Sequence, residues 1–188
     1  MPDVVLFSGG MDSLYVLRQR APADAIPLFI CYGQRHLRFE RRAAATLAHD
    51  LVERTITIPW RGSALTGGDS SSWIVPNRNA ILASIGAAEA QARGGKRVWI
   101  GCCADDAEGF PDCRPAFIEA LSRALELSCG VVIMAPLLHM TKADILRAAR
   151  NGLREELERT WSCYDPQGGA PCELCGACLA RARGFAEE

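Results

Sequence analysis

Residues 4–13 read Val4-Val5-Leu6-Phe7-Ser8-Gly9-Gly10-Met11-Asp12-Ser13, and this stretch decides the fold. The apolar run Val4–Phe7 predicts a short buried strand, and a helical segment from Leu14 to near Arg20 follows soon after it. Between them lies the Ser8–Ser13 turn, whose two glycines have no Cβ and can point successive backbone N–H groups at an anion. The N-terminal end of the following helix adds positive potential. The stretch therefore predicts a strand, a phosphate-binding turn and a helix, in that order.

The turn carries one carboxylate, Asp12, between the hydroxyl donors Ser8 and Ser13. A carboxylate repels phosphates unless a cation lies between them, so this residue favours bound Mg²⁺. The pattern matches neither G-x-x-x-x-G-K-[ST] nor G-x-G-x-x-G, which argues against a Walker A loop and a Rossmann fingerprint. A plain strand-to-helix turn, in which glycine serves only the backbone geometry, is the alternative that the residues leave open.

Strand-like and helix-like segments alternate along the rest of the chain. Strands are predicted at Ala25–Cys31, Thr55–Ile58, Arg97–Gly101 and Val131–Ala135, and helices at Leu37–Leu51, Asn79–Arg93, Pro115–Leu127 and after Thr141. Thr141 with Asp144 three residues later is the pattern of a capping box. Alternating strands and helices imply right-handed crossovers. We therefore expect an α/β fold, with a parallel, doubly wound sheet and helices on both faces.

Ligands of such sheets bind beyond the carboxyl ends of the strands. Four segments of this chain fall there and are expected to meet in one crevice: Ser8–Ser13, Cys31–His36, Gly101–Arg114 and Pro136–Lys142. The stretch Gly62–Ser72 is rich in Gly, Ser and Thr and is the best candidate for a mobile loop.

Four cysteines near the C-terminus have the spacing C-x8-C-x2-C-x2-C: Cys163, Cys172, Cys175 and Cys178. Four thiolates complete a tetrahedral Zn²⁺ site without an open position, so a structural zinc knuckle is favoured. An iron–sulfur cluster uses a similar run, but its fourth cysteine usually lies downstream and precedes proline. Disulfides and free thiols are the remaining alternatives. The other five cysteines are expected to behave as small apolar residues.

The composition is that of an ordinary globular domain, with 188 residues, 49% hydrophobic residues and a net charge of -1. We expect one structural unit, made of an α/β domain over residues 1–160 and a zinc-binding segment over 161–188 packed on it. No sustained block of Lys and Arg is present, which argues against a nucleic-acid partner. No signal peptide or membrane-spanning run is evident, so a cytoplasmic location without a membrane partner is expected.

The Ser8–Ser13 loop resembles the SGGxDS loop of the N-type ATP pyrophosphatases, the PP-loop superfamily, which cleave ATP to AMP and pyrophosphate. Four further stretches look like those of the 7-cyano-7-deazaguanine synthase family: Tyr32–His36 with Glu40, Val75–Asn79, Gly109–Arg114 and the four-cysteine knuckle. The similarity runs from about Val4 to Phe185. It implies an adenine nucleotide alpha hydrolase-like fold.

The resemblance also implies a ligase that forms C–N bonds in queuosine or deazaguanine biosynthesis. Its substrate would be 7-carboxy-7-deazaguanine, which ammonia and ATP convert to the nitrile through an adenylated carboxylate and an amide. ATP would leave as AMP and pyrophosphate. Mg²⁺ and one structural Zn²⁺ per chain are the implied metals, and a homodimer is the implied assembly.

The resemblance assigns nucleotide binding to the loop and to two cations. The loop residues that would hold ATP and its Mg²⁺ are Ser8, Gly9, Gly10, Asp12 and Ser13. Lys142, at the start of the capped helix, would neutralise phosphate as a cation. Lys142 and Asp12 are both implied to be catalytic residues. Arg78 would hold a phosphate or the substrate carboxylate bidentately. A weak pairing of Arg78 with a surface carboxylate is the simpler alternative.

Substrate binding falls on three loops. Asp112 would accept hydrogen bonds from the guanine-like N–H edge, and turn chemistry alone is the alternative explanation for this aspartate. Arg114, also a catalytic candidate, would meet a carboxylate or a phosphate, and Phe110 would contact the substrate. His36 would deprotonate ammonium, but an exposed histidine in a polar loop fits the sequence equally well.

The chain departs from the family pattern in three places. Leu14 and Tyr15 follow the loop where the family usually has small polar residues, and the segment between Trp60 and Val75 is shorter than usual. The chain also stops three residues after Phe185. A changed loop beside the site leaves two other reactions open. The enzyme could stop at the amide, or it could join the acid to another amine.

Two other classes of protein fit parts of the sequence. A PP-loop tRNA sulfur transferase would need a reactive cysteine pair and a basic RNA-binding extension, and the net charge of -1 counts against it. A non-catalytic binding module would use the knuckle to grip a nucleic acid or a protein. Few aromatic and basic residues surround the knuckle, which counts against that class.

Overall fold

The computed structural model describes residues 1–57, 75 and 77–187. In this part of the chain the strands are β1 (Val4–Leu6), β2 (Ile26–Cys31), β3 (Val52–Thr55), β4 (Arg97–Trp99) and β5 (Val132–Met134). The helices are α1 (Met11–Gln19), α2 (Leu37–Leu47), α3 (Arg78–Ala92), α4 (Ala104–Gly109), α5 (Pro115–Cys129), α6 (Lys142–Ala148), α7 (Leu153–Glu158) and α8 (Gly176–Ala186), with a 3₁₀ turn at Pro111–Cys113.

The five strands form one parallel sheet in the order β3-β2-β1-β4-β5. The sheet starts at β1 and grows first through β2 and β3, and the chain then returns to pair β4 with the other side of β1. Val4 accordingly pairs with Ile26 on one side and with Val98 on the other. A reversal of this kind opens a crevice at the carboxyl edge of the sheet. The predicted parallel α/β sheet is confirmed.

Helices cover both faces of the sheet because successive strand residues point to opposite sides. Val4 belongs to a core that includes Ala83 of α3 and Ile118 of α5. Its neighbour Val5 belongs to a second core with Leu14 of α1, and α2, α6 and α7 complete that layer. Full burial of one Val or Leu side chain stabilises the fold by about 1.5–3 kcal/mol. The two cores therefore hold the carboxyl ends of the central strands in fixed positions.

The start of α6 is set by the predicted capping box. The hydroxyl of Thr141 accepts a hydrogen bond from Asp144 N at 3.1 Å, and the Asp144 carboxylate accepts one from Thr141 N at 2.9 Å. Lys142 is the first residue of α6. The cap therefore fixes the backbone from which the Lys142 side chain reaches the crevice.

Some elements differ from the prediction. Strand β3 lies at Val52–Thr55, three residues before the predicted position, because it is an edge strand with exposed Glu53 and Arg54 that hide the apolar pattern. Helices α4, α7 and α8 are not predicted, since they are short or rich in Gly, Ala and charged residues. The predicted mobile loop Gly62–Ser72 lies outside the described residues. Among the described residues, no helix is long and apolar enough to cross a membrane.

The C-terminal segment packs on the α/β layers through α8. Gly184 of α8 lies so close to α6 that a Cβ on it would be 2.7 Å from the Cβ of Lys142. The segment with the four cysteines therefore rests on the helix that carries Lys142. The division into residues 1–160 and 161–188 stays a prediction.

Candidate active site and cysteine cluster

A pocket of about 200 Å³ lies at the carboxyl edge of the sheet, beside the ends of β1, β2 and β4. Its polar lining comes from the loop after β1 (Ser8, Gly10, Asp12, Ser13), from the region after β2 (Tyr32, Gln34, Glu40), from the region after β4 (Cys102, Asp106, Cys113) and from Arg78, Asn79 and Tyr164. Three of the four segments expected to meet there line the pocket. The fourth reaches it through Lys142, whose Nζ contacts Asp12.

The loop after β1 is shaped by its own hydrogen bonds. The hydroxyls of Ser8 and Ser13 lie 3.3 Å apart, Gly10 N donates to the Ser8 hydroxyl at 3.2 Å, and the Ser13 hydroxyl donates to Gly10 O at 3.0 Å. Gly9 has φ +78°, a backbone conformation that suits glycine. The loop leads directly into α1, whose N-terminal end points its free N–H groups toward the crevice. The arrangement has the donors that a phosphate group requires.

Lys142 is the buried cation of the site. Its Nζ lies 2.8 Å from Asp12 Oδ2, 3.8 Å from Asp106 Oδ1 and 3.4 Å from the Cys103 sulfur. Burial lowers the pKa of Lys142, but the two carboxylates and the thiol more than offset it, so the pKa lies well above its usual range. Lys142 is therefore charged at neutral pH. The Lys142 side chain is only 8% exposed, and the carboxylates of Asp12 and Asp106 hold it.

Asp12 has a raised pKa, because burial and the nearby Asp106 outweigh the lowering effect of Lys142. Its second oxygen, Oδ1, is buried and has no hydrogen-bond partner among the described residues. The ligand atoms of Asp12, Cys103 and Asp106 lie within 4.8 Å of one another. An unpaired carboxylate oxygen with a second carboxylate beside it suits Mg²⁺, which prefers oxygen ligands, and the thiol does not. The residues therefore fit the predicted Mg²⁺ through Asp12 and Asp106.

Arg78 begins α3 and lines the pocket among aromatic rings. Its guanidinium lies 5.9 Å from the ring centre of Phe110 and is hydrogen-bonded to Tyr32. Burial lowers the pKa of Arg78, but the Tyr32 and Tyr164 hydroxyls more than offset this, so the pKa is raised. The group is therefore a permanently charged, bidentate donor with two tyrosines and a phenylalanine beside it.

Asp112 is buried but serves the backbone of α3. Its Oδ2 accepts a hydrogen bond from Asn79 N at 3.0 Å, so it satisfies one of the free N–H groups at the start of that helix. The Asn79 amide donates in turn to Asp112 O at 3.2 Å and to the Cys113 sulfur at 3.2 Å. Arg114 is exposed, and its Nε donates to Ala107 O at 3.3 Å. Neither Asp112 nor Arg114 lines the pocket in the part of the chain that the structure describes.

His36 is buried rather than exposed, with 7% of its surface accessible. Its Nε2 lies 3.2 Å from Glu40 Oε1, within ion-pair distance but without hydrogen-bond geometry. The His36 ring lies 5.4 Å from the ring of Tyr164. The histidine thus lies behind Glu40, which itself lines the pocket.

The four C-terminal cysteines converge as predicted. The sulfurs of Cys163, Cys172, Cys175 and Cys178 lie within 4.8 Å of one another, and no disulfide joins them. Backbone N–H groups point at two of the sulfurs, from Cys172 N to Cys163 at 3.2 Å and from Cys175 N to Cys172 at 3.3 Å. Hydrogen bonds from the backbone of Leu174 and, second, of Cys175 lower the pKa of Cys172 to about 7, whereas burial raises that of Cys163. The cluster is therefore a site that can hold a metal ion.

The cysteine segment also forms part of the pocket wall. Trp161 N donates to Gly9 O at 3.0 Å, and the Trp161 ring stacks on Phe39 of α2 at 4.5 Å. Two residues further on, Cys163 O accepts from the Trp161 ring N–H at 2.9 Å. Tyr164, next to the first cysteine, lines the pocket. The segment therefore connects the metal-binding cluster directly to the phosphate loop.

Several pocket residues are not predicted from the sequence as site residues. Asp106 is the second residue of the Asp105-Asp106 pair after β4, and Tyr164 adjoins Cys163, so the only local signal for each is its position in the sequence. Cys102 and Cys103 are buried thiols with raised pKa values, which agrees with the expectation that they behave as small apolar residues. A hydrogen bond with Cys113 and burial raise the pKa of Cys102, and burial raises that of Cys103. Glu40 lies in one of the stretches that carry the family resemblance.

Relatives match the chain over almost its whole length. The 7-cyano-7-deazaguanine synthase of Rhizorhabdus wittichii is 40% identical over 213 aligned positions, covering 98% of this chain and 90% of that protein. That of Erythrobacter litoralis is 40% identical over 211 positions, covering 97% and 87%. Both alignments are longer than the 188-residue chain, so these relatives have internal residues without a counterpart here.

Among solved structures, the U34-tRNA thiolase NcsA from Methanococcus maripaludis with its [4Fe-4S] cluster is similar at a TM-score of 0.48 and 13% identity, covering 99% of this chain and 64% of that one. The family model of the queuosine biosynthesis protein QueC matches residues 3–188. Together with relatives 40% identical along nearly the whole chain, this match shows that the chain belongs to the family of the queuosine biosynthesis protein QueC.

Proposed function

We propose that the protein converts 7-carboxy-7-deazaguanine and ammonia to 7-cyano-7-deazaguanine, with cleavage of ATP to AMP and pyrophosphate. The observation that carries the proposal is the meeting of three features in one pocket: the phosphate-type loop after β1, the charged Lys142 beside it, and Arg78 among aromatic rings. The family membership and the synthase activity for which the relatives are named agree with this chemistry.

The first step is attack of a carboxylate oxygen of the substrate on the α-phosphorus of ATP. An acyl adenylate forms and pyrophosphate leaves. Ser8, Ser13 and the free N–H groups of α1 would bind the departing pyrophosphate, and the Lys142 ammonium would offset its charge. Water is excluded on this side by the burial of Lys142 and Cys103.

Mg²⁺ would be held by the free oxygen of Asp12 and by Asp106. Bound there, it would supply neutralisation of negative charge on the phosphate oxygens. Lys142 already holds the other oxygen of Asp12 at 2.8 Å, so the carboxylate is oriented before any ligand binds. Preorganised charge of this kind lowers the barrier because it needs no rearrangement during the reaction.

Two further displacements complete the proposed reaction. Ammonia adds to the acyl adenylate, loses a proton, and AMP leaves to give the amide. The amide oxygen then attacks the α-phosphorus of a second ATP and displaces pyrophosphate. Loss of AMP together with the two N–H protons gives the nitrile. Arg78 would hold the substrate carboxylate in the first round, with the Phe110 ring beside the planar base.

Two predicted residues keep less direct roles in this proposal. His36 lies behind Glu40, from where it could accept a proton only through Glu40 or a small movement. Arg114 would need to turn away from Ala107 O to reach a ligand. Both assignments stay predictions, as do the homodimer and the cytoplasmic location.

Zn²⁺ is the proposed occupant of the four-cysteine cluster. Four thiolates leave no open position for a substrate, so its role would be structural. The metal would fix Cys163 and therefore the adjoining Tyr164 in the pocket wall.

A related reaction that stops at the amide, or joins the acid to another amine, is a second candidate. The observation that favours it is the set of internal residues that the synthases have and this chain lacks. A tRNA sulfur transferase is less well supported, since the thiols of the adjacent Cys102 and Cys103 have raised pKa values and would be poor nucleophiles.

Product analysis by mass spectrometry tests the proposal. The purified protein is incubated with 7-carboxy-7-deazaguanine, ATP, Mg²⁺ and ammonium, and Asp12→Asn protein purified in the same way controls for contaminating host enzyme. Nitrile with AMP is the expected result. Amide with AMP would identify the second candidate. Absence of both products and of AMP would refute either ligase reaction with ammonia.

A further inference from the structure

Glu40 is a carboxylate of the pocket that the proposed chemistry does not use. It lies in the first turn of α2, lines the pocket, and has only 14% of its side chain exposed. Neighbouring side chains contact both of its oxygens from behind. Oε2 accepts a hydrogen bond from Gln34 Nε2 at 3.1 Å, and Oε1 lies 3.2 Å from His36 Nε2.

The groups that hold Glu40 are themselves anchored. Gln34 is 5% exposed, its Oε1 accepts from Tyr32 N at 2.9 Å, and its Nε2 also donates to Ile30 O at 3.3 Å. His36 is fixed by burial and by the ring of Tyr164. A carboxylate supported in this way presents its remaining lone pairs in one direction, with little freedom to turn.

Elimination among the pocket carboxylates points to a separate task for Glu40. In the described part of the chain, the carboxylates that line the pocket are Asp12, Glu40 and Asp106. Asp12 and Asp106 both face Lys142 on the phosphate side. Glu40 instead lies beside β2, to which Gln34 connects it through Ile30 O. Burial, with a smaller contribution from the Glu40 charge, raises the pKa values of Tyr32 and Tyr164.

The chemistry of a fixed carboxylate selects one kind of heterocycle edge. A 2-amino-4-oxopyrimidine ring presents two adjacent donors, the ring N–H and the exocyclic amino group, and a carboxylate accepts from both. An adenine edge presents one donor next to one acceptor, so the same carboxylate would repel the ring nitrogen. Glu40 is therefore matched to a guanine-type ring and mismatched to the adenine of ATP.

We infer that Glu40 is the specificity-determining residue that binds the 2-amino-4-oxo edge of the substrate, held in place by Gln34 as a positioning residue. The inference rests on the proposed function for the identity of the ring. It replaces the sequence-based assignment of that edge to Asp112, whose carboxylate caps α3 and does not line the pocket.

The test compares 7-carboxy-7-deazaguanine with its analogue that lacks the 2-amino group. Rates of AMP release and equilibrium binding of each acid, measured by calorimetry, are determined for wild type and Glu40→Gln. Hydrogen bonds to charged groups contribute about 1.5–3 kcal/mol, so wild type should prefer the full ring roughly 10- to 150-fold in both measurements. In Glu40→Gln this preference should fall to about 1, because the amide N–H₂ faces the 2-amino group. The KM for ATP should stay within about twofold.

Three variants make the comparison specific. Glu53→Gln removes a carboxylate on β3 that pairs with Arg41 of the same helix α2 at 2.6 Å, and it should leave the preference unchanged. Asp112→Asn tests the competing assignment and should also keep the preference. Glu40→Asp keeps the charge and should keep the preference while weakening binding, which preserves the test if Glu40→Gln does not fold.

The possible failures are distinguishable. If wild type binds the acid but releases no AMP, the proposed reaction is wrong, and calorimetry still decides the role of Glu40. A preference that survives in Glu40→Gln, or one that disappears in Asp112→Asn, would overturn the inference while the reaction stands. A raised KM for ATP with an unchanged preference would assign Glu40 to the nucleotide instead. Absence of both binding and turnover in wild type would overturn both proposals.

Discussion

Replacement of Gly9 with alanine tests whether the phosphate loop depends on a close contact with α2. Gly9 has φ +78°, and a Cβ at this residue would lie 2.6 Å from Ala44 N and 3.1 Å from Ala43 Cβ. One of these atoms is backbone and the other is attached directly to it. No side-chain rotation can relieve the overlap, so either α2 or the loop must move.

The expected loss of stability has two parts. A left-handed backbone costs a residue with a Cβ about 1–2 kcal/mol. An extra methyl group forced into a packed contact costs typically about 1–3 kcal/mol. Gly9→Ala should therefore lower the free energy of unfolding by about 2–5 kcal/mol, a large part of the roughly 5–15 kcal/mol that stabilises a typical domain.

Gly152 provides a matched control. It has φ +76°, almost the same backbone conformation, but a Cβ on it would meet no atom within 4 Å. Gly152→Ala should then show only the conformational cost of about 1–2 kcal/mol. The difference between the two variants isolates the contact of the loop with α2.

Urea unfolding of metal-loaded wild type, Gly9→Ala and Gly152→Ala measures both costs, with the slope of the transition as a check that the unfolded states are comparable. The reasoning is refuted if Gly9→Ala is no less stable than Gly152→Ala. It is supported further if Gly9→Ala also loses ATP binding while Gly152→Ala retains it, since only the first residue belongs to the loop.

Three other perturbations follow from the site. Lys142→Met leaves the carboxylate of Asp12 without its cation, so the free energy of unfolding should fall by up to about 3 kcal/mol at pH 7. The loss should be smaller at low pH, where Asp12 is protonated. A variant as stable as wild type in urea unfolding at pH 7 would contradict this. Cys175→Ser should lower the zinc content measured by atomic absorption and the Tm together; a zinc-free variant with the wild-type Tm would show that the cluster does not stabilise the chain end. The backbone N–H of Thr141 is the main cause that lowers the pKa of Asp144 from 3.8 to about 2. The charged Asp144 carboxylate therefore stabilises the fold above pH 3.8, and this stability is lost as the pH falls toward 2. Asp144→Asn should accordingly be less stable than wild type at pH 7 and equal to it near pH 2, and an equal deficit at both values in thermal unfolding would be the contrary result.

Local patterns in the sequence predict much of this fold. The strand, the loop and the helix over residues 4–20 follow from apolar runs and glycine, and the Thr141–Asp144 cap follows from a spacing of three residues. These features depend on contacts within a few residues, so the sequence contains their whole cause. The sequence pattern places strand β3 three residues too late for the converse reason. The position of β3 depends on pairing with β2 rather than on its own exposed residues.

The site shows where prediction from sequence ends. The topology of a parallel sheet suffices to bring the loop after β1, the segment after β2 and the segment after β4 to one pocket. It does not say which way a side chain turns. Asp112 and Glu40 are both acidic and both lie in the stretches that resemble the family, but one caps α3 and the other lines the pocket.

The sequence by itself determined the class of fold, the phosphate-type loop, the family and the set of four cysteines, because each is encoded by neighbours in the chain or by recurring spacing. The tertiary structure decided that Lys142 pairs with Asp12 and Asp106, that His36 lies against Glu40, and that Trp161 joins the cysteine segment to Gly9. These contacts join residues that packing alone brings together. Their geometry is set by the two cores and by burial, which no single stretch of the chain specifies.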